Sequence, residues 1–203
     1  MDKIKEQLVI AYDHQAGTRD ATVKAPWKLE ERADFLQRVK AQHGQSLLEI
    51  GAGPGHDAKF FQDHGLRVRC IDLSPRHVAL CVEKGLDADA MDFARMRFAD
   101  ESFDAIWALN CLLHVPKAEL PNVLQEIRRV LKPGGLFYMG VYGREDSEGV
   151  WEGDHYEPKR FFSFFRDETL LTFLEPHFLV RSFRTLPHTT DLDFQSVVLQ
   201  RPG

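Results

Sequence analysis

Cysteine is scarce and comes in an odd number: Cys70, Cys81 and Cys111, with no C-x-x-C spacing among them. That excludes a disulfide framework and fits reduced, buried thiols. Positive charge is not in excess either. The 26 Lys+Arg against 31 Asp+Glu leave a net charge of -5, too acidic for a general basic field that would gather phosphates, so no nucleic-acid partner is expected. Long apolar runs are missing: the longest nearly uncharged stretch, residues 105–115, is broken by Asn110 and His114 and is too short to cross a bilayer, so no membrane partner is expected. No apolar segment follows the lysines of Met1-Asp2-Lys3-Ile4-Lys5-Glu6, so no secretory signal is read and a cytoplasmic location is expected. Linkers, repeats and low-complexity tracts are absent. Among nine histidines, no His/Cys pair has ligand spacing on one element, so no metal is expected.

What remains is an ordinary globular composition, 43% hydrophobic and 28% charged over 203 residues. A chain of this length buries about 70% of its unfolded surface and needs no staple. Apolar runs at 46–50, 66–71, 86–90, 103–109 and 136–141 read as strands. Helical stretches read between them, at about 57–64, 75–84 and 117–131, with a further helix from Pro26 to about His43. Ser74-Pro75 is an N-cap followed by a first-turn proline. Strands alternating with helices predict a doubly wound, Rossmann-like α/β sandwich around a parallel sheet. The tail changes rhythm: a helix at 167–174, then strands at 178–183 and 194–199 joined by a loop, which predicts an antiparallel hairpin.

In such folds ligands bind beyond the carboxyl ends of the strands where strand order reverses. The run Leu47-Leu48-Glu49-Ile50-Gly51-Ala52-Gly53-Pro54-Gly55 falls there, with glycines at a sharp turn that leaves room for a ligand. Asp72, 21 residues after Gly51, ends the second strand, where its carboxylate could accept from a ribose diol; Asp92 follows the third, where it could face an adenine amino group. Each Asp alone also fits a helix cap or a solvated loop; the combination reads as an adenosine site. The spacing is G-x-G-x-G, with His56 where a dinucleotide fingerprint has its third glycine, and Glu49 before the loop suits an ammonium or sulfonium better than a pyrophosphate.

At these residues the chain resembles the class I S-adenosylmethionine-dependent methyltransferases, in particular the small-molecule branch similar to ubiquinone-biosynthesis methyltransferases. The matching pieces are Leu48 to Gly55, Ile71-Asp72-Leu73-Ser74, Met91-Asp92-Phe93, Phe103-Asp104-Ala105-Ile106-Trp107, Asn110-Cys111-Leu112-Leu113-His114-Val115 and Leu131-Lys132-Pro133-Gly134-Gly135. The resemblance implies a seven-stranded, mostly parallel sheet with an antiparallel last strand, and S-adenosylmethionine as cofactor, leaving as S-adenosylhomocysteine. It implies that Gly51, Ala52, Gly53 and Gly55 lie against the methionine part with Glu49 at its amino end. Asp72 would hold the ribose, Leu73 pack on the adenine, Asp92 and Phe93 read the adenine edge, and Asn110 line the methyl-donor end. The pattern departs from the family at Met91, where a glycine is usual, and at Met96-Arg97-Phe98, where Leu-Pro-Phe is usual.

The expected activity is methyl transfer to an O, N or C nucleophile of a small molecule. The alternatives are a regulatory module that binds the cofactor without transfer, and a nicotinamide oxidoreductase. His114, at the rim of the fourth strand, is a candidate base near neutral pH or else a structural hydrogen bonder. Tyr12, a second catalytic candidate, belongs to a lid or anchors a terminal helix. One domain is expected, as a monomer or homodimer: a cap segment at 1–25, a cofactor core at 45–141, a substrate lid at 142–165, and a helix and hairpin at 166–203. The lid segment is polar and ends in the apolar run Phe161-Phe162-Ser163-Phe164-Phe165. Its carboxylates hint at a cationic acceptor or are simply solvated, and Trp151, His155 and Tyr156 are its candidates for contacting one, His155 as a further catalytic candidate.

Overall fold

A computed structural model describes residues 3–189 and 192–203. The chain opens with α1 (Lys3–Ala21) and α2 (Pro26–Ala41), then alternates β1 (Ser46–Ile50), α3 (His56–Asp63), β2 (Arg67–Asp72), α4 (Pro75–Glu83) and β3 (Asp87–Ala90). β4 (Phe103–Leu109) leads through a short 3-10 turn to α5 (Leu120–Val130) and β5 (Leu131–Gly143). β6 (Ser147–Val150), β7 (Phe161–Phe164), α6 (Asp167–Leu174), β8 (Leu179–Pro187) and β9 (Asp193–Gln200) complete it.

Seven strands form one sheet in the order β3-β2-β1-β4-β5-β9-β8. The first five are parallel, and β9 runs antiparallel between β5 and β8. This is the expected Rossmann-like α/β sheet with its antiparallel last strand. Successive side chains of a strand point to opposite faces, and the core divides accordingly. Leu47, Ala105, Trp107 and Tyr138 pack with Phe35 of α2 and Phe61 of α3, whereas Leu48, Ile50, Ile106 and Phe137 pack with α5 and α6. Trp107 and Tyr138 stack at 3.9 Å.

Element ends follow local chemistry. The Ser74 hydroxyl accepts from the His77 N–H at 3.1 Å, as the Ser-Pro start predicts. The helix expected from residue 117 begins at Leu120, because Pro121 takes a first-turn position where its missing N–H costs nothing. β5 is longer than expected and takes in Lys132 to Gly135. The polar insertion contains strands the sequence did not suggest: β6 and β7 pair in a separate antiparallel sheet.

α1 packs on α4, tied by the pairs Ser74–Asp13 and Lys84–Asp20, the latter at 2.7 Å. On β7, Phe162, Phe164 and Phe165 are buried, as an apolar anchor should be, and the Ser163 hydroxyl donates to the Val115 carbonyl at 2.7 Å. α1 and the β6–β7 sheet therefore cover the carboxyl ends of β1, β2 and β4. No helix among the described residues is long and apolar enough to cross a membrane.

Candidate active site

Strand order reverses between β1 and β4, which are neighbours in the sheet, and the glycine turn after β1 opens at that point. Its glycines serve packing more than the sequence suggests. Gly51 has φ +60°, and a Cβ there would lie 2.3 Å from the Cys111 Cβ; at Gly55 it would meet Leu86 at 2.7 Å and Cys81 at 2.8 Å. At Gly53 a Cβ would have room, its nearest neighbour being Arg19 of α1 at 3.8 Å. Gly55 lines no cavity. Its lack of a side chain serves packing against Leu86 and Cys81.

Two cavities meet here. A narrow cleft of about 70 Å³ is lined by Gly53, Asp72, Leu73, Asp92 and Phe93, and α1 closes over it with Ile4, Lys5, Leu8 and Val9. Both oxygens of Asp72 are engaged, one by the Gly53 N–H at 2.8 Å and the other by the Ser74 N–H at 2.8 Å. Burial pushes the Asp72 carboxyl up, but hydrogen bonds from His77, Ser74 and Gly53 outweigh it and hold the carboxyl below its ordinary value. Asp92 pairs with Lys5 of α1 at 2.9 Å. The second cavity, of about 580 Å³, takes in Glu49 and Ala52 at its inner end and the β6–β7 sheet on its outer side.

Tyr12, Arg19, Gly51, Asn110 and His114 line both cavities and so form their junction. Asn110 reaches that place in the left-handed backbone region, φ +58°, which asparagine tolerates, and its N–H donates to the Gly140 carbonyl at 2.8 Å. One Glu49 oxygen is buried without a partner; burial, then the charge of Asp57, raises this carboxyl well above its ordinary value.

Tyr12 and His114 sit together. His114 Nδ1 lies 2.7 Å from the Phe161 carbonyl and therefore carries the proton, while Nε2 accepts from the Tyr12 hydroxyl at 2.6 Å. That hydroxyl accepts in turn from Arg160 at 2.9 Å. Burial pushes the His114 imidazole down to about 3, helped by the charges of Arg160 and Arg19 against the opposing Phe161 bond. His114 is thus a fixed neutral acceptor and not the near-neutral base expected. Below about pH 6.5 the unfolded chain takes up a proton at this residue that the folded chain refuses until about pH 3. Stability should therefore fall with falling pH in that window, this one group contributing up to about 1.4 kcal/mol per pH unit. Urea midpoints across the window should flatten in His114→Gln, and an unchanged slope would refute the assignment.

The lid corrects three expectations. His155 is exposed and lines neither cavity; Trp151, Tyr156 and Arg160 line the larger one instead. The acidic run is taken up by partners of its own. Glu145 pairs with Arg166, Asp146 with Thr169, Glu148 with the Lys117 N–H, Glu152 with Lys159 and Asp154 with Arg160, and none of them lines a cavity. The hint of a cationic acceptor falls with it. Sequence reading missed Arg19, Lys24, Lys28 and Arg160, all on the larger cavity. Arg19 was findable: it lies two helical turns after Tyr12, on the same face of α1. Among the described residues no group of His, Cys, Asp or Glu could hold a metal ion.

With this sheet, turn and double cavity in place, residues 48–139 match the methyltransferase-domain family. That stretch is similar to S-adenosylmethionine-dependent methyltransferases. A sterol 24-C-methyltransferase of Gibberella zeae is 34% identical over 135 residues, which are 62% of this chain and 34% of that protein. The chain thus spans about a third of the length of the first curated relatives it matches. An N-methyltransferase, NodS, of Bradyrhizobium japonicum, solved with S-adenosylhomocysteine, superposes with a TM-score of 0.70 at 18% identity, covering 95% of this chain and all of that one. The [4+2]-cyclase SpnF superposes with a TM-score of 0.76 at 19% identity over 98% and 96% of the two chains. Likenesses this distant speak for the fold. The ubiquinone-biosynthesis branch is not singled out among these relatives.

Proposed function

We propose that the chain transfers the methyl group of S-adenosylmethionine to an O, N or C nucleophile of a small molecule. The observation that carries this is the meeting of two cavities at Tyr12, Asn110 and His114, one with the polar groups a nucleoside needs and the other of small-molecule size.

The donors and acceptors fit the cofactor. Asp72 and Leu73 would hold the ribose and adenine, with Asp92 and Phe93 at the adenine edge. The unpartnered oxygen of Glu49 would take the ammonium. Arg19, whose Nε is buried without a partner beside Gly53, would take the carboxylate. Admission of a nucleoside requires α1 to part from the cleft at the Lys5–Asp92 pair, because the closed cleft is too narrow for one. When bound, S-adenosylmethionine supplies a methyl group activated on a positively charged sulfur.

The protein's own contribution is alignment and exclusion of water. Tyr12, held by His114 and Arg160, keeps one lone pair for the acceptor's O–H or N–H. His114, depressed to about 3, is too weak a base to retain a proton, so the pair orients the acceptor. Tyr12→Phe should lower turnover about ten-fold, the worth of one neutral hydrogen bond, with S-adenosylhomocysteine affinity unchanged.

The SpnF superposition is a reason to test transfer itself, since one fold hosts several chemistries. Incubation with methyl-labelled S-adenosylmethionine and a panel of small phenols, acids and amines should give S-adenosylhomocysteine and a labelled product in equal amounts. Tight binding of the cofactor with no label transferred to any acceptor would favour the binding module.

A further inference from the structure

The charges around the larger cavity do not balance among themselves. Among the described residues, its carboxylates are Glu49 and Asp57, and its strong cations are Arg19, Lys24, Lys28 and Arg160. Asp57 is taken by Lys24 and Arg32, and Arg160 by the buried Asp154, at 2.7 and 2.9 Å. Glu49 has its carboxyl pushed toward the neutral form. Among the described residues, Arg19 and Lys28 have no carboxylate partner. Arg19 stands beside Gly53, at the end where the cofactor's methionine carboxylate belongs under the proposed function. Ring faces stand near the Lys28 ammonium, Trp27 at 5.1 Å and Tyr142 at 5.3 Å, and the charge of Asp57 acts on it without pairing. Burial, then the charges of Lys24 and Arg19, push Lys28 down to about 8. A half-buried ammonium among like charges is a cost to the folded protein that an incoming anion would relieve.

We propose that Lys28 recognises an anionic group, carboxylate or phosphate, on the methyl acceptor, whose flat unsaturated body lies among Tyr142, Trp151, Tyr156, Phe162 and Phe164. The proposal rests on the methyltransferase reading, because it gives the second free cation to the second substrate. The rings that line the cavity supply broad apolar faces to a planar compound, and Arg160 crosses the Tyr156 ring at 3.5 Å, fixing one wall. Of the lid's paired carboxylates, Asp154 is neutralised by Arg160, and none lines the cavity.

Calorimetry on the full chain saturated with S-adenosylhomocysteine tests this with three probes that share one ring: 4-hydroxybenzoate, its neutral amide 4-hydroxybenzamide, and cationic tyramine. The benzoate should bind about ten-fold more tightly than the amide, and tyramine more weakly than both. Lys28→Met should bring the benzoate down to the level of the amide while leaving S-adenosylhomocysteine affinity within about two-fold, and Lys28→Arg should retain the preference. Equal binding of the three probes, a preference for tyramine, or no binding of the benzoate would overturn the proposal. So would loss of S-adenosylhomocysteine affinity in Lys28→Met with the benzoate unaffected, which would assign Lys28 to the cofactor's carboxylate. Failure of wild-type protein to bind S-adenosylhomocysteine would instead remove the methyltransferase reading.

Discussion

Asp57→Ala should destabilise the fold by about 3–5 kcal/mol, the usual cost of removing one partner from a buried ion pair. Asp57 is the second residue of α3 and is almost fully buried. It accepts from Arg32 at 3.1 Å, from the indole N–H of Trp107 at 3.2 Å, and from Lys24. Without it, the Trp107 N–H is left unpaired in a completely buried ring, at about 1–3 kcal/mol. Two cations are also left facing each other across the start of a helix whose N-terminus already carries partial positive charge. Lys24 and Arg32 keep some access to water, which moderates the loss. Asp57→Asn should cost less, since its carbonyl still accepts from Trp107. Urea denaturation measures both variants, and a loss below about 1 kcal/mol for Asp57→Ala would mean that the three bonds do not act together.

Asp72→Ala should weaken S-adenosylhomocysteine binding about 100-fold, close to 3 kcal/mol. Two effects combine. The charged acceptor for the ribose hydroxyls is lost, worth roughly 1.5–3 kcal/mol. The Gly53 and Ser74 N–H groups that Asp72 pins are also released, so the glycine turn and the start of α4 lose the brace that fixes them relative to β2. Titration calorimetry checks it. Affinity within two-fold of wild type would remove Asp72 from the ribose role and leave it as a brace alone.

The parts of this molecule that the sequence made legible are those governed by local pattern. Residues 46–50 and 103–109 are mostly apolar because both faces of the sheet are covered, and they are strands with those limits. Ser74-Pro75 starts a helix and Asp167 begins another for reasons contained within a few residues. The resemblance led to the carboxyl ends of β1, β2 and β4, and Asp72, Leu73, Phe93 and Asn110 do line cavities there.

What was not legible depends on partners distant in the chain. Glu31 of α2 is the clearest case. It is buried, accepting from Tyr138 and Ser196 and pairing with Arg184, none of which local pattern could place. His114 carries the right residue type for a base, yet burial sets its charge state, helped by cations from α1 and the lid segment and opposed by a carbonyl 47 residues away. The acidic lid looked electrostatically directive, but each carboxylate with a partner spends its charge on a neighbouring donor and none lines a cavity itself. Composition counts charges and cannot say which way they point.

The central claim is that the cleft at Asp72 and the turn at Gly51 hold S-adenosylmethionine for transfer. Titration of the purified chain with S-adenosylhomocysteine and, separately, with NAD tests it most directly. The account predicts saturable one-to-one binding of S-adenosylhomocysteine and no heat of binding with NAD. Binding of NAD with none of S-adenosylhomocysteine would contradict it.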